Sequence, residues 1–584
     1  MAVLIPSEII DSKQAPTGEV LVGKALQGEF SDDTWVWYNP PTTSHRPRFV
    51  MLTPSLGVVG IDVCDWSPGS VREANRNGVR LSDGRLCNPA SELGRRLEEL
   101  RARLAGLQPE PQLQGLVALP NFTDVEAKAT GLDRAFPPDL ILTRDRLSKD
   151  GIDNLLLAAA TSLDSEALGG VRDRLYPDTS FQRFRLVCNE GRAERIAVRV
   201  RLSAEQENLA RTMNGGTTLL KGVAGSGKSL VLAARARYLA QSHPDWTIQV
   251  LCFNYALVPY LTELIGTNYR NVQVDTFYRW VRTLHLWLDW RNPGDHKATI
   301  DEAIATRRFA NRNDAILVDE GQDFIPDWYR LIHHTLRPNR GGALIALDGA
   351  QSIYQELSLA QVSDGNMSAV SLNKNYRNTE QIGHFAFGSV FGVRSSPGAQ
   401  VGDSRRPSLG EFVSEGEPVQ VAWAQVWDEQ AAFVAKEIRR LVDNGHADFR
   451  DVAVLFPRWA GTANRLSEAM QSEKIPFFVL KRNQESREAF DLEENVVKLL
   501  TVHAAKGLEF PVVFLFGAEA IPVPETFQGA GEAETNWARV LYVGMTRATD
   551  LLYVTYTRSN RLVDRAAKLK DWCEVRSYPD DFDF

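Results

Sequence analysis

The chain has 584 residues, 43% hydrophobic and 24% charged, a balance typical of a globular protein with about three or four domains and not of a disordered or fibrous one. Its formal net charge of −8 excludes a protein that coats nucleic acid with a uniformly basic surface. Five cysteines without a C-x-x-C pair give no zinc signature, and no apolar run approaches the roughly 20 residues of a membrane span. We expect a cytoplasmic protein without a membrane segment.

The first 200 residues predict a small α/β domain. Its expected elements, in chain order, are a helix opening at Gly18 and Glu19, a strand at Trp35–Tyr38, a hairpin at residues 49–52 and 57–63, and a helix after Asn88 with Leu93, Leu97, Leu100 and Leu104 on one face. This order resembles the nuclease-related (NERD) domain of the PD-(D/E)xK type. We expect that domain to occupy residues 1–150, with residues 151–200 as a connecting segment.

Catalysis in that nuclease fold needs an acid at the start of one hairpin strand and an acid-x-lysine on the other, because carboxylates hold the metal while lysine positions water. At these places the chain has Arg48 and Asp62-Val63-Cys64, so a cation replaces the first acid and a cysteine replaces the lysine. The resemblance therefore implies an inactive domain that acts as a scaffold, a DNA clamp or a surface for a protein partner bound through residues 1–200. An active nuclease and an unrelated fold are the alternatives.

A phosphate-binding loop of the G-x-x-x-x-G-K-[ST] type follows a predicted strand at residues 217–220 and precedes a predicted helix at residues 230–240. Glycines allow backbone N–H groups to face phosphate oxygens, Lys228 reaches the outer phosphates, and Ser229 offers its hydroxyl to Mg²⁺. The expected nucleotide-binding residues are Gly222, Val223, Ala224, Gly225, Ser226, Gly227, Lys228 and Ser229. The chain is therefore predicted to bind a nucleoside triphosphate.

Two acidic residues, Asp319 and Glu320, come directly after the apolar strand Ala315–Val318. At the end of a buried parallel strand, Asp319 would join Ser229 in holding the magnesium ion, and Glu320 would orient and deprotonate the attacking water. A solvated acidic pair is common at strand ends, but here the upstream loop supplies the phosphates on which such acids act. We expect a second element of the same ATP site.

With these elements placed, residues 200–560 resemble the UvrD/Rep-like branch of superfamily 1 helicases. The resemblance rests on an ordered series of motifs: Gln206 in Leu-Ser-Ala-Glu-Gln-Glu, residues 222–229, residues 319–323, Asp-Gly-Ala-Gln-Ser-Ile-Tyr at 348–354, Asn-Tyr-Arg-Asn at 375–378, Thr-Val-His-Ala-Ala-Lys-Gly-Leu-Glu-Phe at 501–510, and Tyr-Val-Gly-Met-Thr-Arg-Ala at 542–548. Some motifs are short, but their order makes the assignment strong. The implied cofactors are ATP and Mg²⁺.

The resemblance also assigns roles within the ATP site. It implies the catalytic residues Lys228, Asp319, Glu320, Gln351, Arg377 and Arg547. Outside the loop it implies nucleotide contacts from Gln206, Tyr376 and Glu509. The two arginines lie in a second RecA-like domain, so they would reach a γ-phosphate held by the first domain only when the domains close. Hydrolysis would thereby be converted into motion.

Contacts to single-stranded DNA are implied for a further set of residues: Phe253, Asn254, Thr276, Phe277, Tyr354, Thr501 and His503. Aromatic rings can stack on bases without reading their sequence, and hydroxyl groups can hold phosphates. An aromatic residue at the end of a strand is, however, more often part of the core.

The sequence predicts an α/β protein with two RecA-like P-loop domains, at residues 201–370 and 371–565, after the nuclease-like domain and before a tail at residues 566–584. Little chain is left for the large inserted domains of Rep-like enzymes. We expect an ATP-dependent translocase or helicase that moves 3′ to 5′ on single-stranded DNA or a duplex with a single-strand overhang. The alternative is an ATP-gated DNA-binding or sensor subunit of a larger repair or defence complex.

Overall fold

A computed structural model describes residues 1–11, 15–39, 47–156, 162–189, 192–212, 215–289, 292–348, 367–392, 411–457, 461–481, 490–521, 523 and 532–580. The chain forms two compact units. The first consists of Met1–Phe181, Arg201–Thr212 and Arg237–Pro244, and the second of Gln182–Val200, Met213–Ala236 and Asp245–Phe584. Within the described residues, no helix combines the length and the apolar character needed to cross a membrane.

The first unit is built on a mixed six-stranded sheet. Its strands, in spatial order, are Val3–Ile5, Trp35–Tyr38, Phe49–Thr53, Gly57–Val63, Leu113–Leu119 and Ile141–Thr143. The second, third and fourth strands pair antiparallel, whereas the outer pairs are parallel. A small antiparallel sheet contains Val71–Asn75, Gly78–Leu81 and Leu86–Cys87. The helices of this unit are Thr17–Glu29, Pro89–Leu104, Asp124–Ala129, Leu132–Ala135, Lys149–Leu155, Ser165–Leu175 and Ala204–Arg211.

The elements predicted for this region are confirmed. Trp35–Tyr38 is a strand, Phe49–Thr53 and Gly57–Val63 form the hairpin, and Asn88 caps the helix Pro89–Leu104 by accepting a hydrogen bond from the Ser91 amide at 3.1 Å. Its side-chain oxygen satisfies an N–H group that has no partner within the helix.

The first unit extends beyond residue 150, which the sequence predicts as the end of its domain. The reason is the helix Ser165–Leu175, whose Val171 and Leu175 share a hydrophobic core with Leu100 and Leu104 of the earlier helix. Residues 151–181 of the predicted connecting segment therefore belong to this unit, whereas residues 182–200 belong to the second unit.

The second unit contains a six-stranded parallel sheet, which we call the first parallel domain. Its strands, in spatial order, are Val272–Thr276, Ile248–Cys252, Ala315–Val318, Gly342–Asp348, Thr217–Gly222 and Met367–Leu372. The accompanying helices are Lys228–Ser242, Leu257–Ile265, Phe277–Thr283, His296–Ala305 and Pro326–Thr335. Near-continuous burial along Ala315–Val318 is what a strand covered on both faces requires.

A seven-stranded parallel sheet forms the second parallel domain of this unit. Its strands, in spatial order, are Phe477–Val479, Val497–Thr501, Val452–Phe456, Phe510–Leu515, Ala548–Tyr556, Val419–Trp423 and Cys573–Ser577. Its helices are Glu380–Phe391, Trp427–Asp443, Thr462–Ser472, Glu532–Met545 and Arg561–Ala566. Two short parallel strands, Lys374–Asn375 and Glu411–Phe412, and a strand pair, Ser180–Asn189 and Arg192–Arg201, are the remaining strands of the described chain. The α/β class with parallel sheets is confirmed.

The strand Cys573–Ser577 corrects the prediction of a tail beginning at residue 566. It pairs with Val419–Trp423, and Cys573 is 5% exposed while Tyr578 packs in the core of the domain. Burial of these side chains holds the segment on the sheet.

Parallel strands place the key loops at one edge of the first parallel domain. Thr217–Gly222 and Ala315–Val318 flank the strand Gly342–Asp348, so the phosphate loop and Asp319 both leave the sheet at the carboxyl ends of nearby strands. This edge is where open α/β sheets bind their ligands.

Candidate nucleotide-binding site

The phosphate loop is shaped by glycines that no other residue would replace easily. Gly225 has φ +78° and Gly227 has φ +82°, both in the left-handed region that favours glycine. A Cβ on Gly225 would lie 2.2 Å from Asn375 Oδ1, and the Tyr376 amide donates to the Gly225 carbonyl at 3.0 Å. The loop is therefore closed against the Asn-Tyr-Arg-Asn motif.

Lys228 and Ser229 are both held in place by hydrogen bonds. Lys228 Nζ donates to the carbonyl oxygens of Gly222 at 2.9 Å and Val223 at 3.0 Å, so its ammonium group lies within the loop. Ser229 Oγ donates to Asp319 Oδ2 at 2.8 Å, which joins the loop to the acidic pair. The site therefore places a cation and two oxygen ligands together.

The two carboxylates have opposite electrostatic environments. Burial, followed by the neighbouring Glu320 charge, raises the pKa of Asp319 to about 6, although the Ser229 hydroxyl opposes that shift. Burial acts in the same direction on Glu320, but Lys506, Arg547 and Lys228 outweigh it and lower the pKa of Glu320. Glu320 therefore remains ionised, as a general base must be.

Glu320 also has an unusual backbone conformation. Its φ of 51° and ψ of 44° lie in the left-handed region, which costs a non-glycine residue about 1–3 kcal/mol. A single 3₁₀ turn, Gly321–Asp323, follows it, and the Gln322 side-chain amide donates to Glu320 Oε2. Such a conformation persists only where its surroundings fix it, and it directs the Glu320 carboxylate into the site.

Two arginines of the second parallel domain complete a cavity with the phosphate loop. The Arg377 guanidinium is paired with Glu509, while Arg547 donates from Nε to the Val543 carbonyl at 3.0 Å and from Nη1 to the Leu508 carbonyl at 3.3 Å. The lining residues are Ala224, Gly225, Ser226, Gly227, Lys228, Ser229, Leu230, Asp319, Glu320, Arg377, Glu509 and Arg547. Most of the predicted ATP-site residues are therefore brought together.

The donor set also fits a magnesium ion. Ser229 Oγ and Asp319 Oδ2 lie 2.8 Å apart, and both are hard oxygen ligands. Magnesium takes only one or two protein ligands at such sites, and phosphate and water oxygens complete its shell. Two residues are thus enough for the expected ion.

Three predicted residues belong to the first compact unit or fall outside the described residues. Gln206 belongs to the first unit, where its Oε1 accepts a hydrogen bond from the Ser203 amide at 2.9 Å. Gln351 and Tyr354 fall within residues 349–366, outside the described residues.

Phe277 corrects the predicted set of DNA contacts. Its side chain is fully buried and stacks on Trp328 with ring centroids 4.1 Å apart, so it is a core residue and presents no face to a base. Thr276 is 9% exposed and caps the helix Phe277–Thr283 by accepting from the Arg279 amide at 3.3 Å. Phe253, by contrast, is 44% exposed.

The remaining DNA-contact predictions lie where the two parallel domains meet. Asn254 donates to the carbonyl oxygens of Ala504 and Lys506, at 3.0 and 2.9 Å, so it joins the domains in this conformation. Thr501 Oγ1 accepts from the Ala504 amide at 3.2 Å, and His503 lies edge-on to Trp537 with ring centroids 5.9 Å apart. A DNA role for Asn254, Thr501 and His503 stays a prediction.

Replacing Phe277 and Phe253 separately should distinguish a core residue from a residue that contacts DNA. Phe277→Ala should lower the free energy of unfolding by about 3–5 kcal/mol, because it leaves a cavity beside Trp328. Phe253→Ala should leave unfolding nearly unchanged and weaken single-stranded DNA binding by about 1–3 kcal/mol. Denaturant unfolding and fluorescence anisotropy measure the two effects; unchanged DNA affinity in Phe253→Ala would remove that residue from the interface.

Sequence reasoning missed Lys506, Asp323 and Asn375 as site residues. Lys506 Nζ lies 2.8 Å from both carboxylate oxygens of Asp323 and 3.8 Å from Glu320 Oε2, and Asn375 packs against Gly225. All three lie inside the motifs that carried the resemblance, which is the signal that could have identified them.

Comparison with known proteins gives two family matches. Residues 205–356 match an AAA domain, and residues 370–485 and 482–559 match the UvrD-like helicase C-terminal domain. "ATP-dependent DNA helicase PcrA" of Bacillus subtilis is 42% identical over 89 residues, covering 15% of this chain and 12% of the relative. Its namesake from Staphylococcus aureus strain MRSA252 is 43% identical over 75 residues, covering 12% of this chain and 10% of the relative. The chain thus aligns with about an eighth or less of these relatives' length.

A solved structure, the C-terminal domain of a possible DNA helicase from Lactobacillus plantarum WCFS1, matches 34% of this chain and 98% of its own at 17% identity, with a TM-score of 0.24. A likeness this weak carries no argument.

Proposed function

From a chain that carries the AAA and UvrD-like C-terminal domains of a UvrD-like superfamily 1 helicase, we infer an ATP-dependent motor that moves on single-stranded DNA and separates duplex strands. The observation that carries this proposal is the cavity in which Lys228, Asp319 and Glu320 face Arg377 and Arg547 from a different parallel domain. Because the site is divided between two domains, binding and hydrolysis of ATP there would change the position of one domain relative to the other.

The chain's own residues account for hydrolysis. The phosphate loop and Lys228 hold the outer phosphates, and Glu320, kept ionised by the surrounding cations, accepts the proton of the attacking water. Ser229 and Asp319 would hold Mg²⁺, which neutralises charge on the phosphates. Arg377 Nη2 is paired with Glu509 inside the cavity, so a γ-phosphate bound there would approach the same guanidinium as that carboxylate. Contact with that guanidinium is a direct way for bound ATP to change the second parallel domain.

The proposed substrate is single-stranded DNA or a duplex with a single-strand overhang, with movement 3′ to 5′. The name of the PcrA relatives supports DNA as the nucleic acid. The exposed ring of Phe253, next to the domain junction at Asn254, offers a platform for bases. A larger complex in which this chain serves as an ATP-gated sensor is the second candidate.

The N-terminal unit is proposed to be a nuclease-like fold without nuclease activity. Arg48 Nε lies 2.9 Å from Glu19 Oε1, and Arg96 is paired with Asp62, so guanidinium groups neutralise the carboxylates that would otherwise attract a metal ion. Burial raises the pKa of Asp62 despite Arg96, and burial also raises the pKa of the Cys64 thiol that stands in the place of lysine. With Asp62 paired to Arg96 and Cys64 in the place of the lysine, this unit would act as a scaffold or a partner surface.

The experiment that tests the motor is steady-state ATP hydrolysis by the whole chain with and without single-stranded DNA, together with release of a labelled strand from a duplex with a 3′ overhang. Stimulated hydrolysis with strand release supports a self-sufficient helicase. Stimulated hydrolysis without strand release favours the sensor subunit. Hydrolysis at the same rate with and without DNA contradicts both the helicase and the sensor subunit. Incubating the same protein with circular DNA and Mg²⁺ or Mn²⁺ should give no cleavage.

Lys228→Ala should abolish most nucleotide binding, because the ammonium group in the loop is the cation that faces the outer phosphates. Titration with a fluorescent ATP analogue measures the loss. Lys570→Met, at an exposed position of the second parallel domain, is the control and should bind as the unchanged chain does. Unweakened binding in Lys228→Ala would contradict the role of the loop.

A further inference from the structure

A short segment of the first parallel domain, residues 284–289, packs on the core of that domain directly after the helix Phe277–Thr283, and we call it the strap. Alternate residues of the strap are buried leucines: Leu284, Leu286 and Leu288. The amides of the first two leucines both donate to the Val281 carbonyl, at 3.1 Å, so the strap is also tied to the helix. Burial of three leucines fixes its backbone and therefore the direction of the residues between them.

A buried histidine holds the end of the strap. His296 Nε2 donates to the Asp289 carbonyl at 2.8 Å, and its Nδ1 accepts a hydrogen bond from Trp328 Nε1 at 3.1 Å. Trp328 stacks in turn on the exposed ring of Phe253, with ring centroids 6.1 Å apart. The strap and Phe253 are therefore parts of one packed frame within the first parallel domain.

Trp287 is the strap residue that this frame presents to solvent. It is 74% exposed, whereas the leucines on either side of it are buried. The Arg282 guanidinium lies 5.1 Å from the centroid of the Trp287 ring, within the distance of a cation–π contact, and Arg282 is itself exposed. A single guanidinium can cover only one face of the ring. A planar aromatic surface and a cation are therefore held side by side on a rigid segment.

The exposed area at Trp287 is too small for a protein interface. A stable interface buries about 800 Å² on each partner, whereas one aromatic side chain buries about 150–250 Å². The leucines next to Trp287 are already buried in the core, so they do not enlarge its exposed surface. A ring that stands beside a guanidinium instead fits a ligand with planar units and negative charge, and a nucleic acid base with its phosphate has both.

We propose that Trp287 stacks on a base of single-stranded DNA and that Arg282 contacts an adjoining phosphate, at a subsite separate from Phe253. This proposal rests on the single-strand binding proposed above for the motor. Phe253 lies beside the junction of the two parallel domains at Asn254, whereas Trp287 belongs to a strap built on the core of the first domain alone. The second ring would therefore lengthen the DNA-binding surface along the first parallel domain.

The first test measures the Kd for single-stranded DNA by fluorescence anisotropy. Trp287→Ala should weaken binding by about 5- to 150-fold, the loss expected when one base–aromatic stack is removed. Trp287→Phe should recover most of the affinity, because a phenyl ring can also stack on a base. Arg282→Ala should lower the slope of log Kd against log salt concentration by about 0.7, the value for one phosphate contact on a single strand.

Leu86→Ala is the matched control, since it also removes an exposed apolar side chain, and it should bind as the unchanged chain does. Denaturant unfolding of Trp287→Ala should give nearly the unchanged free energy of unfolding, because the ring is exposed. Unchanged DNA affinity in Trp287→Ala would overturn the inference. Self-association of the unchanged chain that is lost in Trp287→Ala, with DNA affinity intact, would assign the ring to contact with a second copy and would also overturn it.

The length of the DNA separates a second subsite from damage to the first. Strands of about 4 to 20 nucleotides cover the usual site sizes of single-strand binding proteins. A strand too short to reach both rings can still use Phe253, so Trp287→Ala should weaken its binding only about twofold, and the full loss should appear with longer strands. An equal loss at every length would mean that the substitution disturbs the frame behind Phe253, and it would overturn the proposed subsite.

A double variant gives an independent check. With a long strand, the losses in binding free energy from Phe253→Ala and Trp287→Ala should add, because the two rings would contact different bases. A double variant no weaker than either single variant would overturn the inference, since the rings would then serve one contact. If the unchanged chain bound no single-stranded DNA, the proposed motor itself would be refuted, which differs from normal binding that ignores Trp287.

Discussion

Glu320→Gln should abolish nearly all ATP hydrolysis while ATP still binds. Glutamine has the size and shape of glutamate, but its amide cannot accept the proton of the attacking water. Loss of a general base lowers turnover by about 10²–10⁴-fold. Binding should survive because Lys228 and Ser229, which hold the phosphates and the ion, are untouched. Steady-state hydrolysis and titration with a fluorescent ATP analogue measure the two properties.

The matched control is Glu468→Gln, the same chemical change at an exposed position of the helix Thr462–Ser472. It should hydrolyse ATP at the unchanged rate. A Glu320→Gln chain that kept more than about a tenth of the rate would show that another group takes the proton.

Arg377→Ala should reduce turnover by about 10³-fold or more, the lower end of what an arginine contributes to phosphoryl transfer. The guanidinium lies in the cavity beside the phosphate loop but comes from the other parallel domain, and its partner there is Glu509. Removing it takes away one of the two guanidinium groups that line the cavity. Arg377→Lys should recover little, because a single ammonium group cannot reproduce a planar fork.

Arg465→Ala is the control for this second change. Arg465 also pairs with a carboxylate in the second parallel domain, Asp428, but both side chains are exposed. Its removal should alter neither turnover nor stability by much. Turnover that fell equally in Arg377→Ala and Arg465→Ala would mean that the loss reflects damage to the domain and not to the site.

Local motifs explain why so much of the ATP site was predictable. Lys228, Ser229, Asp319 and Glu320 each lie within a few residues of a buried strand, so sequence alone fixes their place at the carboxyl edge of the sheet. The strand Ala315–Val318 was predicted with its observed bounds, because a fully buried parallel strand gives a continuous apolar run.

The features that could not be predicted from the sequence depend on tertiary packing. Phe277 follows a strand just as Phe253 does, and both rings stack on Trp328, but only Phe277 is also enclosed by Trp280 and Phe324. This tertiary packing, which no local pattern reveals, buries one ring and leaves the other exposed. The contact of Lys506 with Asp323 joins residues far apart in sequence, and the left-handed backbone of Glu320 has no marker in its side chain. In the strand Cys573–Ser577 only Cys573 is buried, so its place on the sheet depends on pairing with Val419–Trp423, which the local sequence does not reveal.

The position of Cys573–Ser577 also sets an order of events during synthesis. Val419–Trp423 has Ala548–Tyr556 on one side and Cys573–Ser577 on the other, so both of its neighbours are made more than a hundred residues later. By contrast, the strand Ile248–Cys252 has both partners by residue 318. The sheet of the second parallel domain therefore cannot be completed until residue 577 has been synthesised, and until then Val419–Trp423 has an unpaired edge of the kind that favours aggregation.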